Sequence, residues 1–209
     1  MKIIVICGGN SSEKEISVKS GTSVFSSIKK QYNSELLLLS NNYRIIKDKY
    51  EDGDIIFNAL HGGYGENGEI QEFFELENFN FIGSGSKACQ IAIDKEKCKK
   101  VASELNIRVP FGTIFNNDIS VYDDFKKPFI MKPNSEGSSV GFFVINNRKD
   151  FLRALKYNEK HGNQVIIEEF IKGRELTVSI LGNEALPIIE IIPKGGIYNY
   201  TCKYTKGKT

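Results

Sequence analysis

The sequence predicts a two-part fold: a doubly wound α/β half built on a parallel sheet, followed by an antiparallel α+β half. Three observations predict it. Apolar, β-branched runs alternate with helical patterns as far as Ile82, the small-residue cluster Gly83-Ser84-Gly85-Ser86 interrupts them, and beyond Pro110 short strands dominate.

In the first half, residues 2–7 form a short apolar run ending at Gly8-Gly9. Ser11-Ser12-Glu13 then opens a segment with Ile16, Val24, Phe25 and Ile28 at helical spacing. The unit reads as strand, glycine turn, helix. The runs Glu35–Ser40 and Asp54–Leu60 predict two more strands, and Ile70, Phe73, Phe74 and Leu76 predict a helix within Gly68–Asn78, before a strand at Phe81-Ile82. After the small-residue cluster one long helix is predicted from Lys87 to about Asn106, so a second unit starts near there. The predicted strands of the second half are Phe111–Phe115, Phe129–Lys132, Gly141–Ile145, Val165–Phe170, Leu176–Leu181 and Leu186–Ile192, with a helix near Arg148–Tyr157.

A chain of 209 residues with 40% hydrophobic and 26% charged residues lies in the globular range. Its formal charge of +2 leaves a nearly balanced surface, so nucleic acid is not an expected partner. Cys7, Cys89, Cys98 and Cys202 are scattered without a CxxC pair, which predicts reduced structural thiols. The first strand is too short for a signal-peptide core and no apolar stretch approaches a membrane span, so a soluble, cytoplasmic chain is expected.

Several segments combine residue types that carry chemistry. Gly8-Gly9 before a helix can offer free N–H groups to an anion, or serve only the turn. Glu13, in the first helical turn, suits the helix dipole and can receive a substrate ammonium, or is an ordinary N-terminal acid. His61 begins His61-Gly62-Gly63-Tyr64-Gly65-Glu66-Asn67-Gly68, at the carboxyl end of a strand where open α/β sheets bind ligands; it reads as a catalyst or as a hydrogen-bonded core residue. Lys132 to Gly141, KPNSEGSSVG, follows the apolar strand Phe129-Ile130-Met131. Its hydroxyls and glycine N–H groups can wrap polyphosphate oxygens while Lys132 supplies countercharge, and a plain hairpin turn needs far fewer special residues. Ile166 to Ile171 ends in Lys172-Gly173-Arg174-Glu175, an apolar wall with acids suited to adenine, or else a strand with exposed charges. From Lys194 onward the chain is basic, with no acid after Glu190; it reads as a loop closing over phosphates or as a solvated tail.

Taken in order, GGNSSEKEIS, HGGYGENG, GSGSKACQIAIDK, IMKPNSEGSSVG, IIEEFIKGRELTV and KYTKGKT have the arrangement and approximate spacing of the D-alanine–D-alanine ligases. On these motifs the chain resembles the N-terminal two-thirds of that family, within the ATP-grasp superfamily. The resemblance implies a Rossmann-like N-terminal domain at 1–86, a central ATP-grasp domain at 87–175 and the start of a C-terminal domain at 176–209. It also implies ATP and magnesium as cofactors, D-alanine as substrate, an acyl-phosphate route to a dipeptide for peptidoglycan, and a homodimer formed through the N-terminal domain. By motif, Glu13 corresponds to the acid that fixes the first D-alanine's ammonium and His61 to a residue beside it, with Ser138 and Tyr204 holding Glu13. Lys95 and Lys132 correspond to lysines on the nucleotide phosphates, with Ser139 in the same loop. Glu168 corresponds to the contact to the adenine amino group and Glu175 to the ribose contact, while Glu169 and Ile171 make backbone contacts to adenine. Lys203 corresponds to a loop lysine on the transferred phosphoryl group, and Tyr204 favours an amine as second substrate.

The family's Asp, Glu and Asn magnesium ligands and its oxyanion-binding Arg have no counterpart in this sequence. No metal ligand is therefore expected, and the ATP-grasp domain is expected to be truncated at its C-terminal half. The isolated chain is accordingly expected to be inactive, a nucleotide-binding remnant or one half of a split enzyme being the alternative.

Overall fold

The computed structural model describes residues 1–162 and 164–209. They fall into two compact units, Met1–Cys98 and Lys99–Thr209.

The first unit is a parallel sheet of β1 (Ile3–Gly8), β2 (Ser34–Leu39), β3 (Ile55–Asn58) and β4 (Asn80–Ile82), in the order β2-β1-β3-β4. Helices α1 (Lys14–Ile28), α2 (Glu69–Leu76) and α3 (Ser86–Ile93) accompany it. Because β1 is central, both of its faces are buried, which accounts for an unbroken apolar run rather than an alternating one. Ile4 and Ile6 join Ile56, Ile70 and Phe74 in one core layer; Val5 and Cys7 face the layer of Val24, Phe25 and Ile28 from α1. Helix α1 lies directly on β1 because residue 21 is glycine. A Cβ there would stand 2.5 Å from the Cys7 Cβ. Ser17, fully buried, fixes the same contact: its hydroxyl accepts from the Gly8 N–H and donates to the Ala59 carbonyl, both at 2.8 Å.

The long helix predicted from Lys87 to Asn106 is two helices, α3 and α4 (Lys95–Glu104). Asp94 is extended (φ −86°, ψ 105°) and its carboxylate accepts from the Lys97 N–H at 3.0 Å, so it ends α3 and caps α4. Helical periodicity continued through a residue whose side chain stops one helix and starts the next.

The second unit contains an antiparallel sheet of β5 (Gly112–Ile114), β6 (Phe129–Pro133), β7 (Phe143–Ile145) and β8 (Val165–Glu169), in the order β5-β8-β6-β7. Besides the short helix α5 (Val121–Asp124) it has α6 (Arg148–His161), capped by the Asn147 side chain accepting from the Asp150 N–H at 3.1 Å. Phe129, Met131, Val165 and Ile167 point from the sheet into a core with Ile145, Phe151 and Ala154. Strand alternation therefore sends Ile130, Lys132, Ile166 and Glu168 to the opposite face.

The strand predicted at Leu176–Leu181 is broken in two, the one predicted at Leu186–Ile192 is shortened to Ile189–Ile191, and a further short strand precedes it. Strand β9 (Glu175–Thr177) pairs with β12 (Ile189–Ile191), and β10 (Ile180–Leu181) pairs with β11 (Glu184–Ala185). Pro187, without an N–H to donate, sits between β11 and β12. Leu176, Ile180, Leu181, Ile188, Ile189 and Ile192 are exposed. The final segment holds α7 (Tyr200–Tyr204), which Asn199 caps through the Cys202 N–H at 3.1 Å, and Cys202 is buried. No described helix is long and apolar enough to cross a membrane.

Candidate functional site

Two constellations of polar side chains lie at the predicted motifs, one in each unit.

In the first unit, Glu13 immediately precedes α1 and is 5% exposed. Ser11 links it to the histidine loop, since the Ser11 hydroxyl accepts from the Glu13 N–H at 3.1 Å and donates to the His61 carbonyl at 2.5 Å. Gly62 follows with φ 64°, and a Cβ there would lie 2.9 Å from Glu13 Oε2 and 3.2 Å from Ser11 Oγ. Only glycine lets this turn approach the carboxylate so closely. The His61 ring stands between two partners: Nε2 is 3.1 Å from Ser20 Oγ, and Nδ1 is 3.6 Å from Glu66 Oε1. Glu66 raises the affinity of the imidazole for its proton above that of an ordinary histidine. Burial opposes this, and the charges of Glu66 and Glu13 add to it. The loop beyond is held by Tyr64, whose hydroxyl donates to the Ser40 carbonyl at 2.6 Å, and by Asn58 and Gln71, whose amides both donate to the Gly65 carbonyl. Two carboxylates around one imidazole make an edge suited to a small cationic group.

In the second unit, a cleft of about 470 Å³ is lined by Lys132, Ser139, Glu168, Glu169, Ile171, Glu175 and Lys203, with Ile130, Phe142, Phe170 and Tyr198 among its apolar walls. Seven of the eight residues expected around the nucleotide thus share one cleft. The eighth, Lys95, begins α4 in the first unit. Glu168 is 3% exposed, and both its oxygens are engaged: Oε1 accepts from Lys99 Nζ at 2.8 Å, and Oε2 is bonded to Lys132 Nζ. Burial pushes this carboxyl upward. The hydrogen bonds and charges of Lys132 and Lys99 outweigh it and leave the group below the usual carboxylate range. Lys132 meets Glu168 because Ile130 pairs with Glu168 across the ladder, which makes Lys132 its diagonal neighbour on the same face. Glu169 points elsewhere, accepting from the Phe111 N–H at 2.9 Å, and Lys203 lies 5.3 Å over the Tyr198 ring.

The serine loop closes on the last segment. Ser138 Oγ is 2.7 Å from the Tyr204 hydroxyl, and the Ser139 hydroxyl donates to the Tyr198 carbonyl at 3.1 Å. Ser138 and Ser139 both have left-handed backbones, φ 48° and 59°. Two adjacent non-glycine residues in that region store strain of roughly 1–3 kcal/mol each, a pattern that clusters at ligand clamps. Glu13, in the other unit, is the third member expected of this group.

A larger cavity of about 610 Å³ lies near the end of α6, lined by Phe115, Leu155 and Asn158 among others. It contains no lysine or arginine, so the smaller cleft is the better anion site. Among the described residues no group of three or more His, Cys, Asp or Glu side chains is placed to hold a metal ion.

Sequence reasoning did not assign roles to Ser11, Ser20, Glu66 or Lys99. Signals existed for two of them: Ser20 lies two helical turns from Glu13, and Lys99 lies one turn from Lys95.

A parallel α/β unit with a polar strand edge, joined to an antiparallel α+β unit with a lysine-rich cleft under a serine loop, defines a nucleotide-dependent class of enzyme. Comparison with known proteins names the family. Residues 40–84 match the model of the D-ala D-ala ligase N-terminus and residues 114–209 that of the D-ala D-ala ligase C-terminus. The chain is 38% identical to a D-alanine–D-alanine ligase of Aquifex aeolicus, over 99% of its own length and 72% of the relative's. It is 40% identical to one of Fusobacterium nucleatum, over 99% of its length and 70% of the relative's. Among solved structures, a Bacillus anthracis D-alanine–D-alanine ligase superposes with a TM-score of 0.80 at 32% identity, covering 91% of this chain and 64% of that one. The same ligase complexed with ATP superposes with a TM-score of 0.79 at 30% identity, covering 92% and 66%. This chain belongs to the D-alanine–D-alanine ligase family, a family of ATP-dependent ligases.

Proposed function

We propose that this chain joins two D-alanines at the expense of ATP, through an acyl phosphate, to supply a peptidoglycan precursor. The observation that carries this reading is the lysine-paired carboxylate under a serine loop, in a chain whose relatives are D-alanine–D-alanine ligases.

Within it, residues 1–86 supply the substrate-binding domain, 87–175 the central nucleotide-binding domain and 176–209 the start of the last. Glu13 receives the ammonium of the first D-alanine, His61 lies beside that substrate, and Ser138 and Tyr204 hold Glu13. Lys95, Lys132 and Ser139 bind the phosphates, and Lys203 reaches the group being transferred. Glu168, Glu169, Ile171 and Glu175 surround the adenosine. ATP supplies the phosphoryl group that turns a poor leaving oxygen into a good one. The lysines stabilise the negative charge that gathers as a carboxylate meets a phosphoryl group. Tyr204 suits an amine as second substrate. A cytoplasmic homodimer formed through the first unit completes the reading.

Magnesium accompanies ATP in this reading, and among the described residues no group of three or more His, Cys, Asp or Glu side chains is placed to hold it. No step is routed through it.

The chain spans 64% of the superposed ligase and 72% of the Aquifex aeolicus relative, and Leu176, Ile180, Leu181 and Ile189 of β9, β10 and β12 are exposed. These facts favour a second reading, in which the 209-residue polypeptide binds nucleotide but turns over only with a complementary polypeptide. D-alanine-dependent phosphate release from ATP separates the two. Release by the 209-residue polypeptide alone, at the rate of a full-length relative, supports the first; release only after adding the C-terminal segment of a relative supports the second. No release in either case, with no ATP bound, removes both.

A further inference from the structure

Two lysines share the buried Glu168, but only one of them lines the cleft. Lys132 does so; Lys99 reaches Oε1 from α4, outside the cleft wall. We propose that Lys99 is a positioning residue for nucleotide binding, which keeps Glu168 paired and so frees Lys132 to leave that carboxylate for a phosphate oxygen. This rests on the reading of the cleft as the nucleotide site.

The two lysines hold different oxygens, Lys99 on Oε1 and Lys132 on Oε2, so one can depart without disturbing the other. Without Lys99, each engagement of Lys132 with a phosphate would strand a carboxylate that is 3% exposed, and an uncompensated buried charge is among the most costly defects in a protein. With Lys99 in place the exchange swaps one anion for another at Lys132. Among the described residues the charges that act on Glu168 are Lys132 from β6 and Lys99 from α4, and the residue opposite on β5 is Gly112.

The test is calorimetric titration of ATP into the parent chain, Lys99→Met, Lys99→Arg, Glu168→Gln and the double variant Lys99→Met/Glu168→Gln. Lys99→Met is expected to bind ATP about ten- to a hundredfold more weakly at neutral pH, with Lys99→Arg close to the parent. The deficit relative to the parent should shrink as pH falls, because a protonated Glu168 needs no countercharge. General damage to the fold would not follow pH in this way. On the Glu168→Gln background, Lys99→Met should have no further effect. That pair also decides the matter if Lys99→Met alone does not fold. Parent-like binding by Lys99→Met, a pH-independent deficit, or an equal loss on the Glu168→Gln background overturns the role of Lys99 and leaves the nucleotide site standing. Failure of the parent itself to bind ATP overturns the nucleotide site and the inference together.

Discussion

Ser138 and Tyr204, 66 positions apart in sequence, share a hydrogen bond of 2.7 Å, so the serine loop after β6 and the helix α7 are fastened to each other. Ser139 adds a second fastening to the Tyr198 carbonyl. Removing a hydroxyl costs about 0.5–1.5 kcal/mol per hydrogen bond, enough to raise local opening roughly two- to tenfold. Limited proteolysis should therefore cut residues 196–208 faster in Tyr204→Phe and in Ser138→Ala. The double variant should be cut no faster than the quicker single one, since both remove the same bond.

Lys132→Ala and Lys95→Ala should each weaken ATP binding by about one to two decades, the loss of one charge-assisted contact of roughly 1.5–3 kcal/mol. Glu168 keeps Lys99 when Lys132 is removed, so the Lys132 variant should remain folded. Calorimetry showing parent-like affinity for Lys132→Ala would falsify its assignment to phosphate.

His61 makes a pH-dependent contribution whose sign is set by its raised affinity for a proton. The stabilisation is fully present below the unfolded histidine value of about 6.5 and is lost as pH rises through the higher folded value. Glu66→Gln should lower the His61 titration midpoint, as followed by NMR of the ring protons. The difference in melting temperature between parent and Glu66→Gln should be largest in mild acid and vanish at alkaline pH. An unchanged midpoint would assign the shift to some group other than Glu66.

Gly62→Ala combines a left-handed φ of 64° with a Cβ 2.9 Å from the Glu13 carboxylate. Backbone strain and displacement of Glu13 should together cost about 1–3 kcal/mol. Urea unfolding measures the loss. D-alanine affinity should fall in the same variant, whereas Gly53→Ala, which also has positive φ but nothing within 4 Å, should be destabilised with D-alanine affinity intact.

Much of this protein was legible in its sequence, because period and composition report directly on local conformation. The buried run before Gly8-Gly9 placed β1 and α1, and the apolar run Phe129-Ile130-Met131 placed β6 with Lys132 at its end. The order of the glycine-rich motifs identified the family. What the tertiary structure alone decided are contacts between distant segments. Asp94 divides a continuous helical pattern by capping α4, and Lys99 belongs to Glu168 from 69 positions away. The His61 ring lies between Ser20 and Glu66, while Ser138 and Ser139 adopt left-handed backbones that no serine prefers by itself. Periodicity records which face of an element is apolar. It does not record which charged or hydroxyl group from another element arrives at the opposite face, because that depends on how the elements pack and not on the order of residues within either one.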